Sequence, residues 1–208
     1  MRGIIQSQVT PQQKMVAVNN KFGNSNIKNQ QGSTRVLFDS LPITAGPTNF
    51  RFFENANNRT FPLTNIGSEG NRLGVGETFT VEKIYFNAVT YDAVNNTITA
   101  SLNGLAFAAG DTAIPFATGE FDFFIANSQV VKQLPTTFVQ GSNFNPTAVN
   151  TNDHAFSMAT DIVIPPLLEY VASLKTTPYA IGADLGGYTH IQLFMYGTAG
   201  IIAPQTTF

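Results

Sequence analysis

The 208-residue chain contains no cysteine, no tryptophan and only two histidines. Without cysteine there is neither a disulfide framework nor a thiolate metal site. His154 and His190 occur in no H-x-H or H-x-x-x-H spacing, so a metal centre of the cupin kind lacks its first pair of ligands. Charge is also scarce: Asp, Glu, Lys and Arg make up 12% of the residues, against about a quarter in ordinary soluble domains. Asn and Thr fill the gap, at roughly a fifth of the chain. A surface that is polar but weakly charged has little colloidal protection, and it is easier to understand if neighbouring copies cover much of it. Long apolar runs are missing as well. The opening MRGIIQSQVTPQQK has no apolar core of signal-peptide length, which points to synthesis in the cytosol. The segment from Leu185 to Phe208 is broken by Gly186, Gly187, Gly197, Gly200 and Pro204, short of the roughly 20 apolar residues of a membrane span.

Catalytic and nucleotide-binding signatures are equally thin. There is no G-x-S-x-G and no P-loop, and Gly74-Val-Gly76 lacks the third glycine of a dinucleotide loop. Ser25 and Lys28 match S-x-x-K without its companion motifs, in a stretch of low complexity. The sequons at Asn58 and Asn95 carry meaning only on a secretory route. Glu77 and Glu82 have opposite strand parity, which disfavours paired acid and base work. Glu120 and Asp122 share one strand face, opposite Phe121 and Phe123, and with Asp111 could approach a cation. One strand supplies too few oxygens, so a solvated outer face is the favoured reading. His190 reads as a core-edge histidine satisfied by backbone, and His154, beside Asp153, as part of a solvated turn. No catalytic residue, metal ligand or cofactor is assigned.

What is present is a segregation of charge. Residues 1–38 carry Arg2, Lys14, Lys21, Lys28 and Arg35 and no acid. The rest carries 6 basic and 13 acidic residues, a net −7 that brings the chain to −2. Residues 1–34 are rich in Gln, Asn, Ser and Gly, and too poor in apolar groups to order themselves alone. The seven-residue spacing of Lys14, Lys21, Lys28 and Arg35 would make one helix face, but Gly23, Gly32 and the many Asn residues oppose a helix. The chain divides into a basic polar arm, 1–34, whose five cations (Arg35 included) are the candidate contacts to neighbouring subunits or an interior polyanion, and a domain, 35–208.

From Arg35 onward short apolar runs alternate with Gly, Pro, Asn and Asp, the texture of an all-β sandwich. Strands are expected near Val36–Phe38, Phe50–Phe53, Phe61–Leu63, Glu77–Tyr91, Thr97–Leu102, Phe121–Ile125, Val130–Val139, Ala155–Met158, Leu168–Lys175 and Ile191–Tyr196. In GETFTVEKIYFNAVTY, Phe79, Val81, Lys83 and Tyr85 alternate with Thr80, Glu82, Ile84 and Phe86. Both faces carry large apolar groups, so this strand should cross the centre of two layers. Leu167–Leu174 admits a helix by composition, but Pro165, Pro166 and Pro178 favour an extended segment. Asn103-Gly104 is the strongest hairpin signal. The predicted core is Phe79, Val81, Phe86, Phe121, Phe123, Leu193 and Phe194. About eight to ten strands fit a single jelly-roll β-sandwich, two four-stranded antiparallel sheets joined by Greek-key connections, and are too few for a double one.

Asn58-Arg-Thr-Phe-Pro-Leu-Thr-Asn65, followed by Asn71-Arg-Leu-Gly-Val-Gly-Glu77, resembles segments of structural proteins of tailless icosahedral bacteriophages. Ile162-Val-Ile-Pro-Pro166, Leu168 to Leu174 and His190 to Gly197 resemble the closing strand pair of a viral coat jelly roll. The resemblance spans Arg35 to about Ile202, and strand and turn patterns carry it. It implies a capsid subunit of the virion, made in the host cytoplasm. Its implied partners are many copies of itself, other capsid proteins, and nucleic acid or an internal membrane met non-specifically through the arm. A non-enzymatic jelly-roll module that binds carbohydrate or a receptor is the second reading, and an enzyme the third.

Overall fold

A computed structural model describes residues 30–44, 49–67, 70–103, 119–136, 156–178 and 188–202. Regular structure there consists of nine strands and a 3₁₀ turn at Ala56–Asn58. The strands are β1 (Gln30–Pro42), β2 (Asn49–Phe52), β3 (Glu77–Asp92), β4 (Thr97–Asn103), β5 (Glu120–Ile125), β6 (Ser128–Pro135), β7 (Phe156–Ile164), β8 (Tyr170–Lys175) and β9 (His190–Ile202). They form an all-β sandwich of two antiparallel sheets. The first runs β1-β9-β3-β4, with β7 also on β3; the second runs β2-β8-β5-β6.

Pairings nest along the chain: β1 with β9, β2 with β8, β3 with β7, and β5 with β6. Contacts of β9 with β3 and of β8 with β5 then close each sheet. The first sheet has five strands where four were expected, because β3 is longer than any single neighbour. One edge of β3 takes β7 along Phe79–Ile84 and β4 along Ala88–Asp92. The β3–β4 hairpin turns at Ala93–Asn96, where the Asp92 carboxylate accepts from the Val94 N–H at 2.8 Å and from the Asn95 side-chain amide at 2.7 Å. Gly104, half of the expected hairpin pair, lies outside the described residues.

Two readings of face change. A β-bulge between Val81 and Lys83 shifts the register of β3 against both β7 and β9. The extra residue switches parity, so Phe79 and Val81, and then Ile84, Phe86 and Ala88, all point inward and are buried. Lys83 and Tyr85 consequently face outward. Apolar groups on both faces of the sequence are thus largely one inner face that changes phase. Phe194, expected in the core, is the second change: it belongs to the outer face, stacked on Tyr85 at 4.5 Å between ring centroids and on Phe38 at 5.4 Å. The other predicted core residues are buried. Phe86 joins the layers, meeting Phe52 at 6.0 Å and Phe121 edge-on at 5.8 Å.

Local chemistry explains the remaining departures. Phe61–Leu63 is a turn, closed by Leu63 N–H to Thr60 C=O at 2.9 Å, and Thr64 makes only a single bridge to Asp39. Of the stretch Leu167–Leu174, Leu167 is a turn residue at φ +64° and the rest is extended, not helical, with β8 beginning at Tyr170. Gly76 adopts φ +80° in the turn that launches β3, a conformation that disfavours any residue with a Cβ. β1 begins at Gln30, ahead of the boundary expected at residue 34.

Close approach of β3 and β9 sets a measurable constraint. A Cβ on Gly197 would lie 1.8 Å from the Thr80 carbonyl oxygen. Gly197→Ala should therefore force the two central strands apart and cost about 3 kcal/mol in urea denaturation. Phe123→Ala, which empties a fully packed inner site, should cost about 3–5 kcal/mol by the same measurement. An unchanged Gly197→Ala midpoint would mean that these strands are farther apart than described.

Candidate interaction surfaces

Of the five cations grouped by charge, Arg2, Lys14, Lys21 and Lys28 lie outside the described residues. Arg35 belongs to β1, and its Nη1 is 3.0 Å from Glu77 Oε2 at the head of β3. Each side chain is about one-third exposed. Such a pair contributes at most about 1 kcal/mol. The contact sets the Glu77 carboxylate against the Arg35 charge within the chain.

The outer face of the first sheet carries an aromatic row. Phe38, Phe194 and Tyr85 lie opposite one another across β1, β9 and β3. Tyr196, one step along β9, is 37% exposed and faces Val36 and Lys83. Burial raises the pKa of the Tyr85 phenol above its ordinary value. A second row is polar: Gln192 Nε2 donates to Ser40 Oγ at 2.9 Å, and Asn87 Nδ2 donates to Ser101 Oγ at 2.8 Å. Asn87 Nδ2 also donates to Gln192 Oε1 at 3.4 Å, so the ladder ties four strands together on the side away from the core. The aromatic row escaped sequence reading because Leu193 and Phe194 are adjacent apolar residues, and a period of two cannot say which points inward. Pairing register supplies that information.

Asp122 corrects the expectation for the second sheet. It points outward like Glu120, yet β6 folds over it and leaves it without solvent exposure, while Glu120 is exposed. Its Oδ1 accepts from the Gln133 backbone N–H at 2.7 Å and from Gln129 Nε2 at 2.8 Å, and its Oδ2 is 2.8 Å from Lys175 Nζ. Gln133 has φ +50°, so β6 is bent toward the carboxylate it serves. Asp122 is thus a latch for β6 rather than a solvated acid or a ligand to a shared cation. Asp111 and His154 lie outside the described residues. Among the described residues no three His, Asp or Glu side chains converge as a metal site would require.

His190 is at the first position of β9. One ring nitrogen is 2.9 Å from Thr189 Oγ1 and the ring packs edge-on against Tyr91. A hydroxyl and an aromatic face therefore satisfy it, where backbone was expected. Burial, with a contribution from the Arg59 charge, lowers its pKa and favours the neutral ring. Glu82, at the bulge, accepts from Thr198 Oγ1 at 2.6 Å. These side chains brace strands.

The Asp122 latch has a pH signature. Burial pushes its carboxyl up, but the Lys175 contact and the Gln133 and Gln129 hydrogen bonds outweigh this and hold it below the ordinary value. A carboxyl depressed in the folded state adds stability above its unfolded pKa, about 3.9, and loses it as pH falls through the folded value. Asp122→Asn should accordingly lower the urea midpoint at pH 7, and the gap to the parent should narrow as pH falls below about 4. A gap independent of pH would show that the carboxylate charge does not hold β6. Comparisons with protein-family models, curated proteins and solved structures found no match to this chain.

Proposed function

We propose that the protein is a non-enzymatic structural subunit of a virion, a capsid protein that assembles with many copies of itself into an icosahedral shell. The observation that carries this reading is topological. Eight strands pair in nested order, first with last and inward to the β5–β6 hairpin, the arrangement of a long hairpin rolled into two sheets; β4 is an addition to it. That order is the one expected of a jelly roll, an architecture shared by viral coat and lectin domains.

Charge separates those two uses. Residues 1–29 carry four cations and no acid, and lead directly into β1 at the edge of the first sheet. A lectin has no need of such an arm, whereas in a shell it would reach the acidic body of a neighbour, or a polyanion or anionic lipid inside. Weak overall charge and the outward aromatic row of Phe38, Phe194, Tyr85 and Tyr196 also suit a surface covered by other copies.

Native mass measurement of the purified chain tests the reading. A large closed assembly is the expected result, and a stable monomer or trimer would instead favour a carbohydrate- or receptor-binding module. Deleting residues 2–29 should leave a β-rich domain with near-native circular dichroism that no longer forms normal particles. Normal particles from the truncated chain would make the arm a passive tail.

A further inference from the structure

We propose a binding site for a neutral saccharide on the outer face of the second sheet, at the end where β2 turns away and β5 turns into β6. A cavity of about 530 Å³ opens there, within the roughly 300–1,000 Å³ of small-molecule sites. Its floor includes Phe124 and Val171, which are register partners on β5 and β8 and lie side by side. A ring and a branched side chain side by side on one sheet face offer an apolar platform to the C–H face of a pyranose.

Polar groups above this floor have the chemistry of hydroxyl recognition. Asn55 and Asn127 make no side-chain hydrogen bond among the described residues, so each amide offers donors and an acceptor. The Asn71 side-chain amide donates to the Tyr170 carbonyl at 3.1 Å, the Asn71 backbone carbonyl accepts from the Tyr170 N–H at 3.0 Å, and the side-chain amide oxygen is left for a ligand. Charge is balanced: Arg51 Nε is 2.6 Å from Glu54 Oε2, and Glu169 is paired with Arg72. Two carboxylates in the lining disfavour a phosphate, the guanidiniums already paired with them (Arg51 in the lining, Arg72 outside it) disfavour a cation, and a neutral polyhydroxyl ligand meets neither penalty.

Backbone conformation agrees with a fixed site. Phe53 and Ala126, in the turns at either side, have φ of +69° and +50°, a region costly for residues with a Cβ. The Ala126 N–H donates to the Glu169 carbonyl at 2.7 Å and ties the β5–β6 turn to the cavity wall. Asn127 is thereby presented on an anchored turn.

Saturation-transfer NMR on the full chain tests the site, with the methyl glycosides of glucose, galactose, mannose and N-acetylglucosamine as probes. At least one should receive saturation, and Asn127→Ala and Asn55→Ala should each weaken its binding about tenfold. Both positions are exposed; Asn127→Ala should keep the parent's thermal midpoint, while Asn55→Ala should lower it slightly, because Asn55 sits at φ +54°, where asparagine is tolerated better than alanine. The proposal is overturned if no glycoside receives saturation, if binding survives both substitutions, or if inorganic phosphate at equal concentration displaces the sugar. Assembly is read from native mass alone, so the two conclusions stand or fall separately.

Discussion

A buried carboxylate holds the corner where the chain leaves the first sheet for the second. Asp39 is fully buried in β1. Its Oδ1 accepts from Arg59 Nε at 3.0 Å, while its Oδ2 accepts from Arg59 Nη2 and from the Phe53 N–H, each at 2.6 Å. With one partner missing, the other would remain a buried charge, a far larger penalty than the pair's own net contribution. The segment from Phe53 to Arg59 is therefore drawn around Asp39, through positive φ at Phe53 and Asn55 and the turn at Ala56–Asn58. Beyond it, Thr64 Oγ1 donates to the Phe38 carbonyl at 2.9 Å. Asn65 then accepts from the Phe38 N–H at 2.8 Å and donates to the Val36 carbonyl at 2.5 Å. A side chain thus takes the place of a neighbouring strand and blocks the middle of the β1 edge against stray pairing.

From that corner outward, irregularities settle what pure alternation would leave open. The bulge at Glu82 keeps one side of β3 in the core along its whole length while β7 and β4 succeed each other on its edge. The bend at Gln133 brings β6 onto Asp122, and Lys132 and Pro135 make the same edge strand a poor template for further pairing. Each departure places a polar group where it has a partner: Glu82 on Thr198, Asp122 on Lys175.

The all-β class and most strand positions were legible because they rest on local pattern. Phe121 and Phe123 on one face of β5, and the prolines before β8, point to extended structure with no knowledge of neighbours. What escaped depends on contacts between residues distant in sequence. Asp122 looks solvated until β6 is laid over it. Phe61–Leu63 has the composition of a strand, but its surroundings are committed to Asp39 and to the edge of β1. Arg35 is grouped with the arm by charge, and its contact with Glu77 becomes visible only once β1 and β3 are brought together. The cavity on the second sheet could not be read at all, since Asn55, Asn71, Phe124, Asn127 and Glu169 are ordinary residues in ordinary contexts until the fold brings them together.

Nested pairing also governs the order of events during synthesis. β9 fills the gap between β1 and β3, with Gln30 opposite Ile202 and Glu77 opposite Ile201. Gln30 and Ile202 are the two ends of the described chain, and Glu77 is more than a hundred residues from Ile201, a topology whose loop-closure cost makes folding slow. While β7 and β8 are still being made, both edges of the gap are bare, and the ribosome holds a chain that cannot close. Emergence of β9 is therefore the step that closes the first sheet of a pairing-prone nascent chain, and neighbouring chains on one polysome compete for those edges until it arrives.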